Sequence, residues 1–157
     1  MIRPLLLGLL LAAAAGAQGV GDAAPEFEAR TLDGDTLRLA DLRGRHVLLE
    51  FWGTWCAPCV AYAPRLAALR DRYPEAELAL VGVALDDADS VRQFTEAHGQ
   101  NWPQIVEPNV DGRPVTRAYG VRGYPTTFVV DPDGVIVYRN HGYDEAVEAL
   151  LAEALDG

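Results

Sequence analysis

The sequence contains no lysine: all 13 of its basic residues are arginine, set against 23 Asp and Glu, for a net charge of −10. Such a chain lacks the basic footprint that nucleic acid or an anionic membrane surface requires, so neither is expected as a partner. Cysteine is almost as scarce, with only Cys56 and Cys59 present. That excludes a four-cysteine zinc site, and His46, His98 and His141 are too scattered to complete a mixed one. Each of these histidines reads as an ordinary surface or strand-end residue. Long apolar runs are missing as well. Leu5 to Ala15 falls short of the ~20 residues that span a bilayer. No internal repeat is present, and no low-complexity tract beyond that segment.

What the N-terminus does have is the pattern of an export signal. Arg3 supplies a positive charge, Leu5 to Ala15 an apolar stretch, and Ala15-Gly16-Ala17 a small-x-small cleavage pattern. Residues 1–17 are therefore expected to be a signal peptide, with Gln18 as the mature start. The competing reading is an uncleaved anchor from Leu5 to Val20, broken by glycines. No cysteine stands near the cleavage pattern, which excludes a lipid-modified amino terminus. Export puts the cysteine pair where disulfides persist, in the periplasm or cell envelope. Residues 18–157 are one domain's worth of chain, apolar enough to close a single core.

Periodicity divides that domain into strands and helices. Glu26–Arg30 and Thr36–Leu39 flank Asp33-Gly34, a hairpin signal. Arg45–Trp52 and Leu78–Leu85 are dense in Val, Leu and aromatics and read as buried strands. Between them, Pro58–Arg72 places Val60, Leu66, Leu69 and Tyr73 at helical spacing, with Pro64 inside expected to kink the helix. Strand, helix and strand in that order form a right-handed parallel crossover. Asp89–His98 is a helix capped by Asp89 or Ser90 and stopped by Gly99. Asn101–Glu107 is extended, and Val115–Tyr119 is about one helical turn, ended by Gly120. Thr126–Val130 and Val135–Arg139 are strands joined by the turn Asp131-Pro132-Asp133-Gly134. Asp144–Leu155 closes the chain as an amphipathic helix. The expected fold class is α/β, a mixed sheet with helices on its faces.

A Cys-x-x-Cys spacing by itself is shared by metal ligands, structural bridges and redox pairs. Its context separates them. The pair falls where a strand ends and a helix begins, which puts Cys56 at the helix N-terminus, where unpaired N–H groups and the macrodipole favour a thiolate. Cys59 lies one turn inside on the same face, within disulfide reach. The outer sulfur is thus expected to attack and the inner one to resolve. A structural bridge over so small a loop would staple almost nothing.

A carboxylate, Glu50, stands six residues before Cys56 inside an apolar run. It alternates with Leu49 and Phe51 on a strand that leads to the pair. The neighbouring strand "LALVGVA" offers no cation. Burial without a partner raises a carboxylic acid by several pH units, and about 3 would put Glu50 near 7, close enough to exchange protons with a thiol. Glu50 is therefore the candidate general acid/base. An ion pair with Arg45 or Arg65 would instead keep it ionised and idle.

Two segments carry a family likeness. "GDAAPEF" with "LDGDTLRLADLRGRHVLLEFWGTWCAPC" and "YGVRGYPTTFVVDPDGVIV" resemble the thioredoxin superfamily, and within it the exported TlpA/ResA/DsbE-like thiol–disulfide oxidoreductases, over about Val20 to Leu155. The resemblance implies a thioredoxin-like mixed sheet flanked by helices, with an N-terminal β-hairpin and a central insertion. It makes Cys56 the nucleophile, Cys59 the resolving thiol, and their disulfide the sole redox group, with no other cofactor and no metal. Trp55, Pro58, Tyr124 and Pro125 would bind substrate. Trp55 would flank the active site, Pro64 would kink its helix, and Pro125 would be cis beside the sulfurs, leaving a backbone edge for a substrate chain. Trp52 and Trp102 are read as core. Two positions depart from the family pattern: Tyr124 replaces a small or β-branched residue, and Glu50 an Asn (Asp in thioredoxin itself).

The activity implied is that of an exported reductase of protein disulfides, re-reduced by a membrane electron donor, with cytochrome c maturation as its first expected role. Membrane contact would come only through an uncleaved N-terminal anchor. Ala57-Pro58 brings no charge or imidazole to over-stabilise the thiolate, which tilts the pair toward reduction. Two alternatives use the same residues. A copper chaperone would grip a soft ion with both thiolates, although related carriers space their cysteines more widely and add a histidine, for which His141 is the late candidate. A peroxidase, or thiol oxidase, of the same fold is the other. The peroxiredoxin pattern needs a Pro and a Thr at set positions before its cysteine, and here Thr54 is one residue off with no Pro upstream.

Overall fold

In the computed structural model, which describes residues 18–107 and 114–157, the apolar runs of the sequence become the middle of a five-stranded sheet. The signal-peptide expectation for residues 1–17 lies outside the described residues. A hairpin comes first, β1 (Glu28–Arg30) and β2 (Thr36–Arg38), followed by a 3-10 turn at Leu39–Leu42. Then come β3 (His46–Trp52), α1 (Ala57–Arg72), β4 (Leu78–Ala84), α2 (Ala88–Ala97), β5 (Gln104–Val106), α3 (Pro114–Ala118), β6 (Thr126–Val130), β7 (Ile136–His141) and α4 (Glu145–Leu155). The sheet order is β5-β4-β3-β6-β7. β3 runs parallel to β4 and antiparallel to β6, so the sheet is mixed, as the strand–helix–strand crossover and the Asp131–Gly134 turn each required.

β3 and β4 are buried nearly end to end because both faces of the sheet are covered. The odd-numbered residues of β3 (Val47, Leu49, Phe51) pack with Val81, Val83, Tyr119 and Phe128 on one side. Of the even-numbered residues, Leu48 joins Leu66, Leu80, Val129 and Leu151 on the other side, and Trp52 joins the cysteines. Glu50 shares that second face by the two-residue period of a strand. The hairpin leans on the β5 edge, where Thr31 bridges Ile105 and the Leu32 N–H donates to Gln104 O at 2.7 Å. No helix among the described residues is long and apolar enough to cross a membrane.

Side chains set the element ends where pattern did not. Asp87, not Asp89 or Ser90, caps α2: in an extended conformation its carboxylate accepts the Ser90 N–H at 2.9 Å and the Ser90 hydroxyl at 2.7 Å. Those bonds hold its pKa below the usual carboxylate range. Glu107, expected at a strand end, is buried and turns its carboxylate to the Val115 and Thr116 N–H groups at 2.7 and 3.1 Å, fixing the start of α3. β7 starts a residue later and ends two residues further than its pattern predicts, because Val135 is held at the turn by Asp131 Oδ1 and His141 pairs with Thr126.

Candidate active site

The C-terminal end of β3 delivers the chain into a tight turn whose geometry depends on Gly53. A Cβ there would lie 2.5 Å from Trp55 Nε1, so only glycine lets the Trp55 indole fold back over the turn. The indole N–H donates to Leu85 O at 2.8 Å. Asp86 Oδ2 accepts both the N–H and the hydroxyl of Thr54, at 2.9 and 2.6 Å. The end of β4 thereby clamps the residues just before the cysteines. Sequence reasoning missed Gly53 and Asp86; the signal available was their place at the ends of two predicted parallel strands, where α/β sheets build their sites.

Cys56 occupies the N-cap of α1, and its Sγ accepts the Cys59 N–H at 3.3 Å. The two cysteines form a disulfide with Cα atoms 5.2 Å apart. Exposure does not distinguish an outer from an inner sulfur, since Cys56 is 4% and Cys59 2% exposed. Position does: Cys56 faces the unpaired N–H groups of the helix start, while Cys59 is inside the first turn. Ala57 and Pro58 between them are exposed, as is Trp55. Pro64 lies within α1, as expected.

Across from the disulfide, the Tyr124–Pro125 peptide is cis. Tyr124 sets its ring edge-on to Trp55, centroids 5.6 Å apart, and packs against the cluster that contains both cysteines. Its hydroxyl is buried with no hydrogen-bond partner. Pro125 is buried and its carbonyl accepts the Gly142 N–H at 2.8 Å, so the backbone without partners here belongs to Tyr124, which makes no backbone hydrogen bond among the described residues. Trp55, Pro58, Tyr124 and Pro125 thus lie on the segments that flank the sulfurs, whereas Trp52 and Trp102 are core.

Glu50 is 3% exposed and lies level with Gly82 and Thr127 on the neighbouring strands. Arg45 is taken by Glu75, and Arg65 by Glu148 and Glu145. No hydrogen bond or ion pair holds the Glu50 carboxyl among the described residues, and burial pushes its pKa from the ordinary 4.5 up to about 8. Beside it, Gln104 reaches across the bare Gly82 and accepts the Trp52 indole N–H at 3.0 Å; a Cβ on Gly82 would overlap that amide. The histidines stay apart, His46 at the start of β3, His98 stacked on Phe94 and His141 at the end of β7.

The AhpC/TSA family profile matches residues 20–139, most of the chain. The chain belongs to the AhpC/TSA family, among its ResA- and DsbE-like thiol–disulfide oxidoreductases. It is 34% identical over 119 residues to the thiol-disulfide oxidoreductase ResA of Bacillus thuringiensis, covering 75% of this chain and 67% of that one. Its fold matches the crystal structure of a thiol:disulfide interchange protein DsbE from Chlorobium tepidum with a TM-score of 0.76 and 29% identity, over 88% of this chain and 97% of that one. A secreted Mycobacterium tuberculosis disulfide oxidoreductase homologous to DsbE matches with a TM-score of 0.69 and 25% identity, over 82% and 96% of the two chains.

Proposed function

We propose that the protein is an exported reductase of protein disulfides. The observation that carries this reading is Cys56 at the N-cap of α1, its sulfur accepting the Cys59 N–H, in contact with a cluster that excludes water from one side. In the reduced protein the Cys56 thiolate attacks one sulfur of a substrate disulfide; a mixed disulfide forms and the other substrate sulfur leaves as a thiolate. Glu50, as carboxylate, takes the proton of Cys59. The Cys59 thiolate attacks Cys56 Sγ, the Cys56–Cys59 bond forms, and the second substrate sulfur leaves. Two electrons have passed to the substrate, and the two thiol protons end on its sulfurs or in water. Re-reduction by a membrane electron donor reverses these steps, with Glu50 returning its proton to Cys59.

The substrate chain pairs with the free backbone of Tyr124 beside Pro125 and lies against Trp55 and Pro58. Two features support the reducing direction and the location. The exposed Ala57-Pro58 supplies no cation to hold Cys56 as an over-stable thiolate, and a relative of this fold is secreted. The family resemblance directs the activity first to the cysteine pairs of cytochrome c maturation, after cleavage of residues 1–17. Cys59→Ser tests the assignment: it should accumulate mixed disulfides through Cys56 when offered envelope proteins, since attack survives and resolution is lost. Partners joined elsewhere, or no adduct while the wild type turns over, would overturn it.

A further inference from the structure

Beside the cis-proline segment the molecule opens a hollow of about 680 Å³, whose lining includes Arg122, Gly123, Thr126, Arg139, Asn140 and His141. The loop and the sheet edge that form it are locked together. The His141 ring lies so close over Gly123 that a Cβ there would be 2.5 Å from its Cε1, and the Thr126 hydroxyl donates to Gly123 O at 2.7 Å. Arg122, Arg139 and His141 are all exposed.

Most arginines of the described surface are neutralised by a carboxylate; outside this hollow, Arg30, which donates to Gly34 O, and Arg117 are the described arginines without one. Every arginine from Arg38 to Arg92 is in an ion pair. Arg122 and Arg139 hold no carboxylate among the described residues. Arg139 instead lays its guanidinium over the Phe128 ring, 5.5 Å from the centroid, which fixes the group in place and leaves its fork of donors open. On a chain of net charge −10 an acidic polypeptide is repelled in general. Here it meets two guanidinium groups without a carboxylate among the described residues, that of Arg122 one residue of backbone away from Tyr124 and that of Arg139 on the neighbouring edge strand.

We infer that Arg122, Arg139 and His141 form an anion subsite that takes an acidic side chain of the substrate polypeptide, a few residues from the disulfide being reduced. The inference rests on the exchange reaction proposed above and adds the substrate's charge to it. Guanidinium suits a carboxylate because its planar fork can donate two parallel hydrogen bonds. The subsite orients a chain already lying along Tyr124, so that the substrate sulfur meets Cys56.

The test uses disulfide peptides identical except for Glu, Gln or Lys walked through the positions flanking the cysteine. Reduction by the reduced full-length protein is followed as kcat/KM. At low ionic strength Glu at one or two positions should exceed Gln by roughly 3- to 10-fold, the factor expected of two exposed charge pairs, with Lys below Gln. The Arg122→Gln/Arg139→Gln variant should treat Glu and Gln peptides alike, as should the wild type at about 1 M salt, where the Debye length is about 3 Å. Equal rates for Glu and Gln at every position, or a preference that survives in the variant, would overturn the subsite. So would inorganic phosphate inhibiting every peptide equally with no Glu preference, which marks a site for free anions only. Loss of all reduction would instead sink the proposed reaction. In that case binding of cysteine-free Glu and Gln peptides, read by fluorescence anisotropy, still decides the subsite by the same ratio.

Discussion

Glu50→Gln removes a carboxyl that the sheet buries without a partner, and the size of the effect follows from its pKa. Unfolded, the group titrates near 4.5; folded, near 8. Because the folded form holds the proton more tightly, stability is fully present below pH 4.5 and is lost as pH rises from there to about 8, after which it levels off. The slope is about 1.36 kcal/mol per pH unit, so over about 3.5 pH units the wild type loses about 5 kcal/mol, of which about 3 kcal/mol is gone at pH 7. Glutamine has no such window. Urea unfolding of both proteins at intervals from pH 4 to 9 should give curves that diverge steadily between about 5 and 8, with the variant the more stable at the alkaline end. Turnover should move the other way. At pH 7 a Glu50 of pKa about 8 is about 10% carboxylate and a thiol of pKa about 8.5 only about 3% ionised, so without its base the attack of Cys59 slows by roughly 3-fold near neutrality and recovers as pH rises toward about 8.5. A stability difference that stays flat across pH 5–8 would refute the reasoning, since Glu50 would then be ionised and paired in the folded protein.

Three further outcomes can be checked. The reduction potential of the Cys56–Cys59 pair, read by equilibration with glutathione and thiol alkylation, should lie below about −200 mV; a value near −120 mV would make the protein an oxidase. Gly82→Ala should cost about 2–4 kcal/mol in urea unfolding, because the new Cβ displaces the Gln104 amide from the buried Trp52 indole. A cost under about 1 kcal/mol would mean that Gln104 is free to move aside. Tyr124→Phe should stabilise the oxidised protein by about 1 kcal/mol, since it deletes a buried hydroxyl without a partner, and destabilisation would show that the hydroxyl is bonded after all.

Much of this protein is legible in one dimension because its determinants are local. Apolar runs bounded by Gly and Pro mark β3, β4 and β6 to within a residue or so, and Cys-Ala-Pro-Cys after "LLEFWGTW" marks the strand-to-helix junction. The acid at Glu50 is also visible, since strand alternation puts a carboxyl among buried neighbours whatever the sheet order. Tertiary structure decided the rest, because those properties depend on what arrives from elsewhere in the chain. Arg45 and Arg65 could each have neutralised Glu50; only the fold sends them to Glu75 and Glu148 and leaves the carboxyl bare. Asp86, remote in sequence from Thr54, becomes its clamp because parallel strands end side by side. Arg122 and Arg139 become one cationic hollow because a loop and an edge strand meet over Gly123, where the absence of a side chain lets the His141 ring close the gap.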